Sequence, residues 1–464
     1  MWMADRWSTT NLPGAICLLL VLLFSIQLWL HADATSATTD EPLHLLAGQR
    51  YLHCTDFAFN PEHPPLLKGL AALPLAGMDV RMPEGLRCDP GFIAKTEAFR
   101  LGAVFRDGNG EDRILLPARM MASLLSLLLA VLVWISAWRM FGAWPAVGVM
   151  TLFAMEPVLV AHGSLVTTDM AITLTAFLST MVVYASRDWG AVPRVLAMGV
   201  AFGLMLASKH SALLVLPLLA LLRLLDASLL RERPLRAGPH IVRPLVELFL
   251  AGLIALTVLW AFYGFRYSAT LGIPATVEIG EFMRAAGKQD AHGLLLGTLL
   301  SWIAAAHLFP EAYLMGLADI VGNSVRYTRV FGRMYSEGQW FFYPIAFSLK
   351  SSIPLLLLLP VGAVALWMDR SRRRQWLFLV FPPVAYLVIA MSSKFTDGIR
   401  HVLQVYPYFV LLAGFGLSVL WRRGRGWAFA LTCLLVYQGG GDRSHRAGLY
   451  SLRECLLGRP GPCL

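Results

Sequence analysis

Long apolar runs separated by short polar segments are the dominant pattern along this chain. A helix needs about 17 to 25 apolar residues to cross a hydrocarbon core near 30 Å thick. On that basis the pattern predicts about eleven transmembrane helices, near residues 12–30, 114–138, 142–161, 167–186, 194–208, 210–225, 244–265, 343–368, 376–392, 402–421 and 427–438. The fifth and the last of these runs are short. The chain is therefore predicted to be an all-α polytopic membrane protein.

The composition also favours a membrane protein. The 464 residues are 57% hydrophobic and only 15% charged, and the mean hydropathy is +0.61, so there are too few polar side chains to cover a soluble globule. The net charge of +10 would suggest nucleic acid binding in a soluble protein, but here the arginines lie in short clusters between apolar runs. We therefore expect the lipid bilayer, and no nucleic acid, as a partner.

Lys and Arg cluster between alternate pairs of predicted helices, and this bias predicts the orientation. The basic clusters are Arg139, Arg187 with Arg194, and residues 231–243, 369–374 and 421–426. Because such clusters are retained in the cytoplasm, these segments are predicted to be cytoplasmic loops. The opposite, exported face then receives residues 31–113, 162–169, 208–210, 266–342 and 393–401.

Two segments leave alternatives open. Residues 292–309 are apolar enough to cross the membrane, which would invert everything downstream, so we interpret residues 292–322 as interfacial or re-entrant helices or as an even number of spans. The first 34 residues also fit a signal peptide with a cleavage site at Ala32-Asp33-Ala34, although their apolar run exceeds an ordinary signal-peptide core. Whether the first 34 residues are a signal peptide or a transmembrane helix, the segment that follows them is predicted to be exported.

The chain is predicted to form one membrane domain. That domain spans residues 1–438 and carries two large exported loops, residues 31–113 and 266–342. Residues 439–464 are polar and rich in Gly and Arg, which predicts a disordered or truncated tail. Of the six cysteines, Cys54 and Cys88 share the first exported loop, where they form either a disulfide or two unpaired buried thiols.

Two groups of acidic and histidine side chains are predicted on the exported face early in the chain. Asp40, Glu41 and His44 follow the first apolar run, where the carboxylates either cap a helix or belong to a functional site. Glu62 and His63 are held between prolines just before an apolar helix. That arrangement is typical either of a phosphate or metal site or of a solvated helix entry.

Two further groups lie at predicted helix ends. In the third, with Glu156 and His162, Asp169 either stabilises the first turn of its helix or faces a functional site. The fourth group is positive and comprises Lys209, His210, Arg266, the arginines of residues 323–333, Lys350, Lys394, Arg400 and His401. Because Lys and Arg are usually kept from exported loops, these cations indicate an anionic ligand such as a phosphate, or salt bridges to exported carboxylates.

Six short motifs follow one another in a characteristic order. They are Asp40-Glu41, His63-Pro64-Pro65-Leu66-x-Lys68, Thr167-Thr168-Asp169, Ser208-Lys209, YSEGQWFFYPIAFSLK at 335–350 and GIRHVLQVYPY at 398–408. In this order, residues 12–421 resemble the GT-C type glycosyltransferases that depend on a lipid carrier. Those include protein O-mannosyltransferases, aminoarabinose transferases of lipid A and Rgt-type lipopolysaccharide enzymes. The resemblance implies the GT-C glycosyltransferase fold.

The resemblance also implies an enzyme. It would move a hexose or pentose from a polyprenyl-phosphate carrier to an acceptor hydroxyl, with inversion, at the periplasmic or exterior face of the plasma (inner) membrane. It implies Asp40 as the catalytic base, with Glu41 beside it. Substrate and phosphate contacts are expected from His63, Lys68, His162, Asp169, Lys209, Lys350, Lys394, Arg400 and His401. Glu62 and His63 are also the expected ligands of a divalent metal ion, which some relatives use and others lack.

A polytopic transporter or lipid flippase without transferase activity is the alternative function. Transport sites lie near the bilayer midplane, often on broken helices, whereas most acids and histidines here are predicted at helix ends on one face. Lys350 is the exception, because it lies inside its apolar run, from which it would snorkel outward. A non-catalytic scaffold explains neither the exported cations nor the paired carboxylates. The sugar and the acceptor, whether lipid, glycan or protein, do not follow from the sequence.

Overall fold

The computed structural model describes residues 11–440, except for residues 87, 89–90, 230–238, 273–278, 280–290, 323–326, 394–395 and 397. The helices are α1 (Asn11–Ala34), α2 (Asp40–Cys54), α3 (Leu66–Ala72), α4 (Lys95–Asn109), α5 (Glu111–Phe141), α6 (Ala143–Met155), α7 (Pro157–Gly163), α8 (Thr168–Ala185), α9 (Ala191–Leu206), α10 (Ala212–Leu229), α11 (Pro239–Phe262), α12 (Ala291–Ala305), α13 (Glu311–Gly322), α14 (Phe342–Lys350), α15 (Ile353–Met368), α16 (Arg373–Ser392), α17 (Tyr406–Trp421) and α18 (Arg425–Gly440). Short 3-10 helices cover Leu73–Gly77, Ser186–Asp188, Arg370–Arg372 and Ile399–Val405. The strands β1 (Thr328–Val330) and β2 (Arg333–Tyr335) form an antiparallel hairpin.

The predicted spans coincide with helices. Six helical segments of the described chain are long and apolar enough to cross a membrane: Leu12–Ala34, Glu111–Phe141, Thr168–Asp188, Val242–Phe262, Arg370–Ser392 and Ile399–Trp421. Two bent helix pairs raise the number to eight. The chain is therefore an all-α, multi-pass membrane protein, as predicted. The count of eleven spans stays a prediction, since α9 and α18 are shorter apolar helices.

Two of the predicted spans are bent. The helix predicted over residues 142–161 is divided into α6 and α7, with a bend of 61°, because Pro157 lacks an N–H and disfavours helical backbone at Glu156. The helix predicted over residues 343–368 is divided into α14 and α15, with a bend of 115°. Ser352 Oγ donates a hydrogen bond of 2.8 Å to Glu156. The two bends therefore contact each other inside the protein, where polar groups find partners away from lipid.

The two ends of the helix bundle carry different chemistry. At one end, Arg372 donates to the Met140 carbonyl at 3.1 Å, and Arg374 donates to Asp226 at 2.7 Å and to the Tyr184 carbonyl at 2.7 Å. Basic segments that were predicted to share one face thus lie together. The opposite end gathers the starts of α2 and α8 and the 3-10 helix that precedes α17, and these elements carry the acidic and histidine motifs.

Glycines allow the central helices to pack closely. Gly362 of α15 lies against α17, so that a Cβ added there would collide with the Leu412 carbonyl oxygen. Small residues serve this purpose in membrane proteins, where helix association depends on close contact. Helix α17 is buried along most of its length, whereas α1 exposes large apolar side chains such as Leu19 and Ile26. The core therefore lies around α17, and α1 lies at the periphery.

The loop over residues 31–113, which was predicted to be exported, folds as helices that cover the end of the bundle. Arg50 and Asp56 are fully buried there, and both Arg50 Nε and Nη2 donate to Asp56, at 2.8 and 2.6 Å. Cys54 and Cys88 are joined by a disulfide, which decides between the two alternatives that the sequence left open. Residues 291–322 form α12 and α13, and their interfacial placement stays a prediction. The tail that was predicted over residues 439–464 lies outside the described residues from 441 onward.

Candidate functional site

A cavity of about 240 Å³ lies at the end of the bundle where α2 and α8 begin. It is lined by Asp40, Leu43, His44, Asn60, Glu62, His63, Lys95, Phe99, Thr167, Thr168, Asp169, Lys209, Arg400 and His401. Segments that are far apart in the sequence thus meet around one space. Most of the polar residues that the motifs identified are among them.

Asp40 is the first residue of α2, and its carboxylate faces Arg400. Arg400 Nη1 donates to Asp40 Oδ2 at 2.5 Å, with both side chains partly exposed to the cavity. Burial alone would raise the pKa of Asp40, but the Arg400 guanidinium outweighs burial and lowers that pKa. No described backbone N–H donates to the Asp40 carboxylate, whereas Glu41 Oε2 accepts from the Thr38 N–H at 2.9 Å. Asp40 is therefore an ionised carboxylate held by one cation.

Asp169 and Lys209 form a second ion pair across the cavity. Lys209 Nζ lies 2.6 Å from Asp169 Oδ1, and the side chains are 10% and 3% exposed, respectively. Asp169 lies in the first turn of α8, whose N-cap, Thr167, makes no side-chain capping bond. Because a buried ion needs a partner, each of these two charges is balanced by the other.

Two neutral imidazoles lie beside the carboxylates. His44 Nδ1 donates to the Val166 carbonyl at 2.8 Å, which leaves Nε2 as the acceptor of the neutral ring. The rings of His44 and His63 meet edge to face, with centroids 5.4 Å apart. Burial lowers the pKa of His44, and it lowers that of His63 well below the usual value, with repulsion from Lys209 adding to the effect. Both rings are therefore uncharged at neutral pH.

Of the two residues expected to bind a metal ion, Glu62 has another partner in this structure. Glu62 Oε2 lies 2.6 Å from Lys95 Nζ, so its charge is already balanced. Within the described part of the chain, no three His, Cys, Asp or Glu side chains converge to hold a metal ion. Glu62 and His63 thus lack the further ligands that a divalent ion requires, and no chemistry is assigned to a metal here.

Glu41 lies behind the cavity. It is fully buried and accepts from Arg119 Nε and Nη2 at 2.8 and 2.6 Å, and also from the backbone N–H groups of Thr38 and Val166 at 2.9 and 3.1 Å. Burial alone would raise the pKa of Glu41, but these donors outweigh it and lower that pKa. Its carboxylate therefore holds α2, α5 and the start of α8 in register.

Three further predicted residues lie outside the cavity lining. Lys68 is fully buried, and its Nζ donates to Asn60 O and Oδ1 at 2.5 and 3.0 Å, so it positions Asn60 rather than a ligand. His162 belongs to α7, and Lys350 is the last residue of α14. Lys394 lies outside the described residues.

The cavity also contains residues that the motifs did not assign. His44 lies four residues after Asp40, which places both on one face of α2, so that spacing was a usable signal. Lys95 is another lysine in a segment predicted to be exported, and the same charge argument would have found it. No motif in the sequence around Asn60 identified it as a residue of the cavity. Its position follows from the buried Lys68.

The arrangement suits a phosphate-containing ligand. Three cations, Lys95, Lys209 and Arg400, line the same cavity as the carboxylates of Asp40 and Asp169. Lysine and arginine bind phosphate oxygens through charge-assisted hydrogen bonds. A carboxylate in the same cavity can accept a proton from a bound hydroxyl.

Comparison with known proteins identifies the fold. No protein-family model matches the sequence, and no curated protein matches it. The structure of ArnT from Cupriavidus metallidurans in the apo state is 15% identical to this chain, with a TM-score of 0.57, and the match covers 95% of this chain and 69% of that one. The structure of that ArnT bound to undecaprenyl phosphate matches over the same shares at 15% identity, with a TM-score of 0.54. ArnT is an aminoarabinose transferase of the GT-C type, and this chain has the GT-C glycosyltransferase fold.

Proposed function

We propose that this protein is a membrane glycosyltransferase that moves a sugar from a polyprenyl-phosphate carrier to an acceptor hydroxyl, with inversion at the anomeric carbon. One observation carries the proposal: in a chain with the GT-C fold, Asp40–Arg400 and Asp169–Lys209 form two carboxylate–cation pairs around one cavity. The ArnT structure with undecaprenyl phosphate supports a carrier of that kind. The alternative of a transporter or flippase is not favoured.

The cations are proposed to hold the phosphate of the donor. Arg400 and Lys95 are 29% and 32% exposed at their side chains, so their donors are accessible to a ligand that enters the cavity. As the bond between the anomeric carbon and the phosphate oxygen breaks, that oxygen gains negative charge. Guanidinium and ammonium groups fixed near it stabilise the charge more in the transition state than in the bound donor.

Asp40 is proposed as the general base. Its carboxylate takes the proton of the acceptor hydroxyl, the hydroxyl oxygen bonds to the anomeric carbon, and the phosphate leaves with the electron pair of the broken bond. In the absence of donor, Arg400 lowers the pKa of Asp40, which makes the carboxylate a weak base. A donor phosphate that competes for Arg400 would loosen this pair, so the base becomes stronger when the donor is bound.

The remaining cavity residues are proposed to position the reactants. Asp169 is held by Lys209, and its second carboxylate oxygen is available to sugar hydroxyls. His44, neutral and fixed by Val166, accepts a hydrogen bond through Nε2. The cavity is proposed to face the periplasm or exterior of the inner membrane, because the arginine clusters gather at the opposite end.

The proposal is tested by assaying the purified protein with a panel of polyprenyl-phosphate hexoses and pentoses and with extracted lipid, glycan and protein acceptors. We expect one donor to be consumed, with free polyprenyl phosphate released in equal amount to the transferred sugar. Donor binding without release of polyprenyl phosphate under any acceptor condition would favour carriage of the lipid over transfer and would contradict the proposal.

A further inference from the structure

A second cavity lies at the end of the bundle opposite the candidate site. Asp169 marks one end of α8, and an α-helix of 18 residues is about 27 Å long. At the other end of α8, Arg194 of α9 donates to the carbonyls of Ser186 and Arg187 at 2.9 and 3.1 Å. The second cavity opens beside Arg194, between α9 and α11, and we call it the α9–α11 groove.

The walls of the α9–α11 groove are apolar. It has a volume of about 700 Å³ and is lined by Ala191, Val192, Val195 and Leu196 of α9 and by Val242, Arg243, Val246, Glu247 and Leu250 of α11. Farther along the two helices, a Cβ added at Gly199 or Gly203 would meet Ile254 or Val258, so the helices are in close contact there. The groove is therefore the place where two tightly packed helices separate.

Three arginines surround one carboxylate at this groove. Glu247 accepts from Arg194 Nη1 at 2.8 Å, from Arg223 Nη2 at 2.9 Å and from Arg243 Nε at 3.0 Å. One negative charge against three positive charges leaves two positive charges in excess. Arg194 and Arg223 are buried together with Glu247, with side chains 6%, 9% and 4% exposed, respectively, and buried charge is stable only when it is balanced.

The three arginines differ in whether their N–H groups that do not bind Glu247 have other partners. Arg194 places the rest of its guanidinium on backbone carbonyls, including that of Trp189. Arg223 Nε is buried and has no hydrogen-bond partner among the described residues. Arg243 has a side chain that is 61% exposed and lines the groove, and no described residue accepts from its Nη atoms. Arg243 is therefore the arginine that can bind a ligand.

The surroundings place this cluster at a membrane interface. Trp189, 44% exposed, lies at the same end of α8, and tryptophan is enriched at the level of lipid headgroups. Val192 and Val246, both exposed, belong to the apolar wall of the groove. Basic pockets between transmembrane helices are known to bind anionic lipid headgroups. The groove thus offers a cation at headgroup level and an apolar wall below it.

We propose that the α9–α11 groove binds an anionic phospholipid, with its phosphate on Arg243 and an acyl chain along Val195, Val246 and Leu250. A phospholipid with a net negative headgroup compensates the excess charge, whereas a zwitterionic one brings its own cation and does not. This site is separate from the candidate transfer site and does not depend on the function proposed for it.

The test uses the full chain purified in detergent and stripped of lipid. Phosphatidylglycerol and phosphatidylcholine with the same acyl chains are added separately, and the bound lipid is counted by native mass spectrometry alongside thermal stability. We expect one phosphatidylglycerol to be retained per chain and to raise the melting temperature, with at least tenfold weaker retention of phosphatidylcholine. Equal retention of both lipids would overturn the proposal. It would also be overturned if inorganic phosphate alone raised the melting temperature as much as phosphatidylglycerol does.

Two variants and one control locate the site. Arg243→Gln removes the headgroup contact while Glu247 keeps two arginine partners, and Val246→Trp fills the groove without changing charge. Both are expected to lower phosphatidylglycerol retention at least tenfold. Arg422→Gln, at another exposed arginine, is expected to bind as the parent does. Retention of phosphatidylglycerol at the parental level in both groove variants would overturn the proposal. A dimer that persists without lipid and is lost in Val246→Trp would also overturn it, because a second copy of the chain would then cover the groove.

Discussion

Glu41 and Arg119 form a two-point ion pair in which both side chains are almost completely buried, at 0% and 2% exposure. The neighbouring carboxylate, Asp40, pairs with a partly exposed cation at the cavity. Two adjacent acidic residues at one helix start therefore have different environments. Glu41, which does not line the cavity, is the more deeply buried of the two. We infer that Glu41 supports the structure and that Asp40 is the residue available for chemistry.

Glu41 is predicted to contribute more to the stability of the protein than an exposed carboxylate does. Glu41→Gln leaves the buried Arg119 guanidinium without a charge partner, so the free energy of unfolding should fall by about 3 to 5 kcal/mol. Thermal unfolding in detergent measures the loss. Glu97→Gln serves as the control, because Glu97 forms an exposed pair with Arg100 on α4 and should change the melting temperature little. Equal melting temperatures for both variants would contradict the supporting role.

Lys209 is predicted to have two separable effects. Lys209→Gln leaves Asp169 buried without its cation, which should destabilise the protein by about 3 to 5 kcal/mol. The double variant Asp169→Asn with Lys209→Gln removes both charges and should recover most of that stability. Affinity for a polyprenyl-phosphate donor should stay low in the double variant, because the phosphate contact is still missing. Parental donor affinity in the stable double variant would show that Lys209 does not bind the phosphate.

Much of the fold followed from the sequence because apolar run length is a local property. The helices lie where the runs predicted them, and the arginines that pair with α8, α10 and α11 in the described chain share one end. The bend at Glu156 was missed, because the apolar pattern continues across Pro157 and only the backbone restriction of proline marks the break. The bend between α14 and α15 occurs at two serines, which are weaker signals than a proline.

The candidate site followed from the sequence only in part. The residue types could be predicted, since acids, histidines and cations are unusual at helix ends that are predicted to be exported. Their pairing could not, because Asp40 and Arg400 are 360 residues apart and meet only through the packing of the bundle. The same limit applies to Lys68, whose motif suggested a phosphate contact and which is instead buried against Asn60.

Two histidines of the cavity, His44 and His63, predict a pH dependence of stability. An unfolded histidine has a pKa near 6.5, and the pKa values of His44 and His63 are lower than this in the folded protein. Below about pH 6.5 the unfolded state therefore binds protons that the folded state does not, so stability falls as the pH is lowered from 7 toward 5. Melting temperatures measured across this range should decrease, and His63→Gln should reduce the slope. A slope that is the same in His63→Gln as in the parent would contradict this assignment.

The orientation of the bundle is predicted by its arginines and can be measured in intact cells. Single cysteines at Glu84→Cys and Ser371→Cys are placed in a protein whose Cys433, Cys455 and Cys463 are changed to serine. An impermeant maleimide should label the cysteine at position 84 and not the one at position 371 until the cells are opened, because the basic loop remains cytoplasmic. The reverse labelling pattern would place the candidate cavity on the cytoplasmic side.

The last prediction concerns Asp40, whose helix-capping and catalytic interpretations disagree about one substitution. Asparagine caps a helix as well as aspartate does, so a structural role predicts that Asp40→Asn retains activity. An amide cannot accept the proton of the acceptor hydroxyl, so a catalytic role predicts a transfer rate that is roughly a hundredfold or more lower, the usual scale for general-base catalysis. Melting temperature should stay near the parental value. Donor affinity should be equal or higher, since Arg400 no longer has Asp40 as a competing partner. Asp33→Asn, at an exposed carboxylate near the end of α1, is the matched control and should transfer sugar at the parental rate. Parental transfer in Asp40→Asn would remove it as the base, and weaker donor binding would show that Asp40 itself positions the donor.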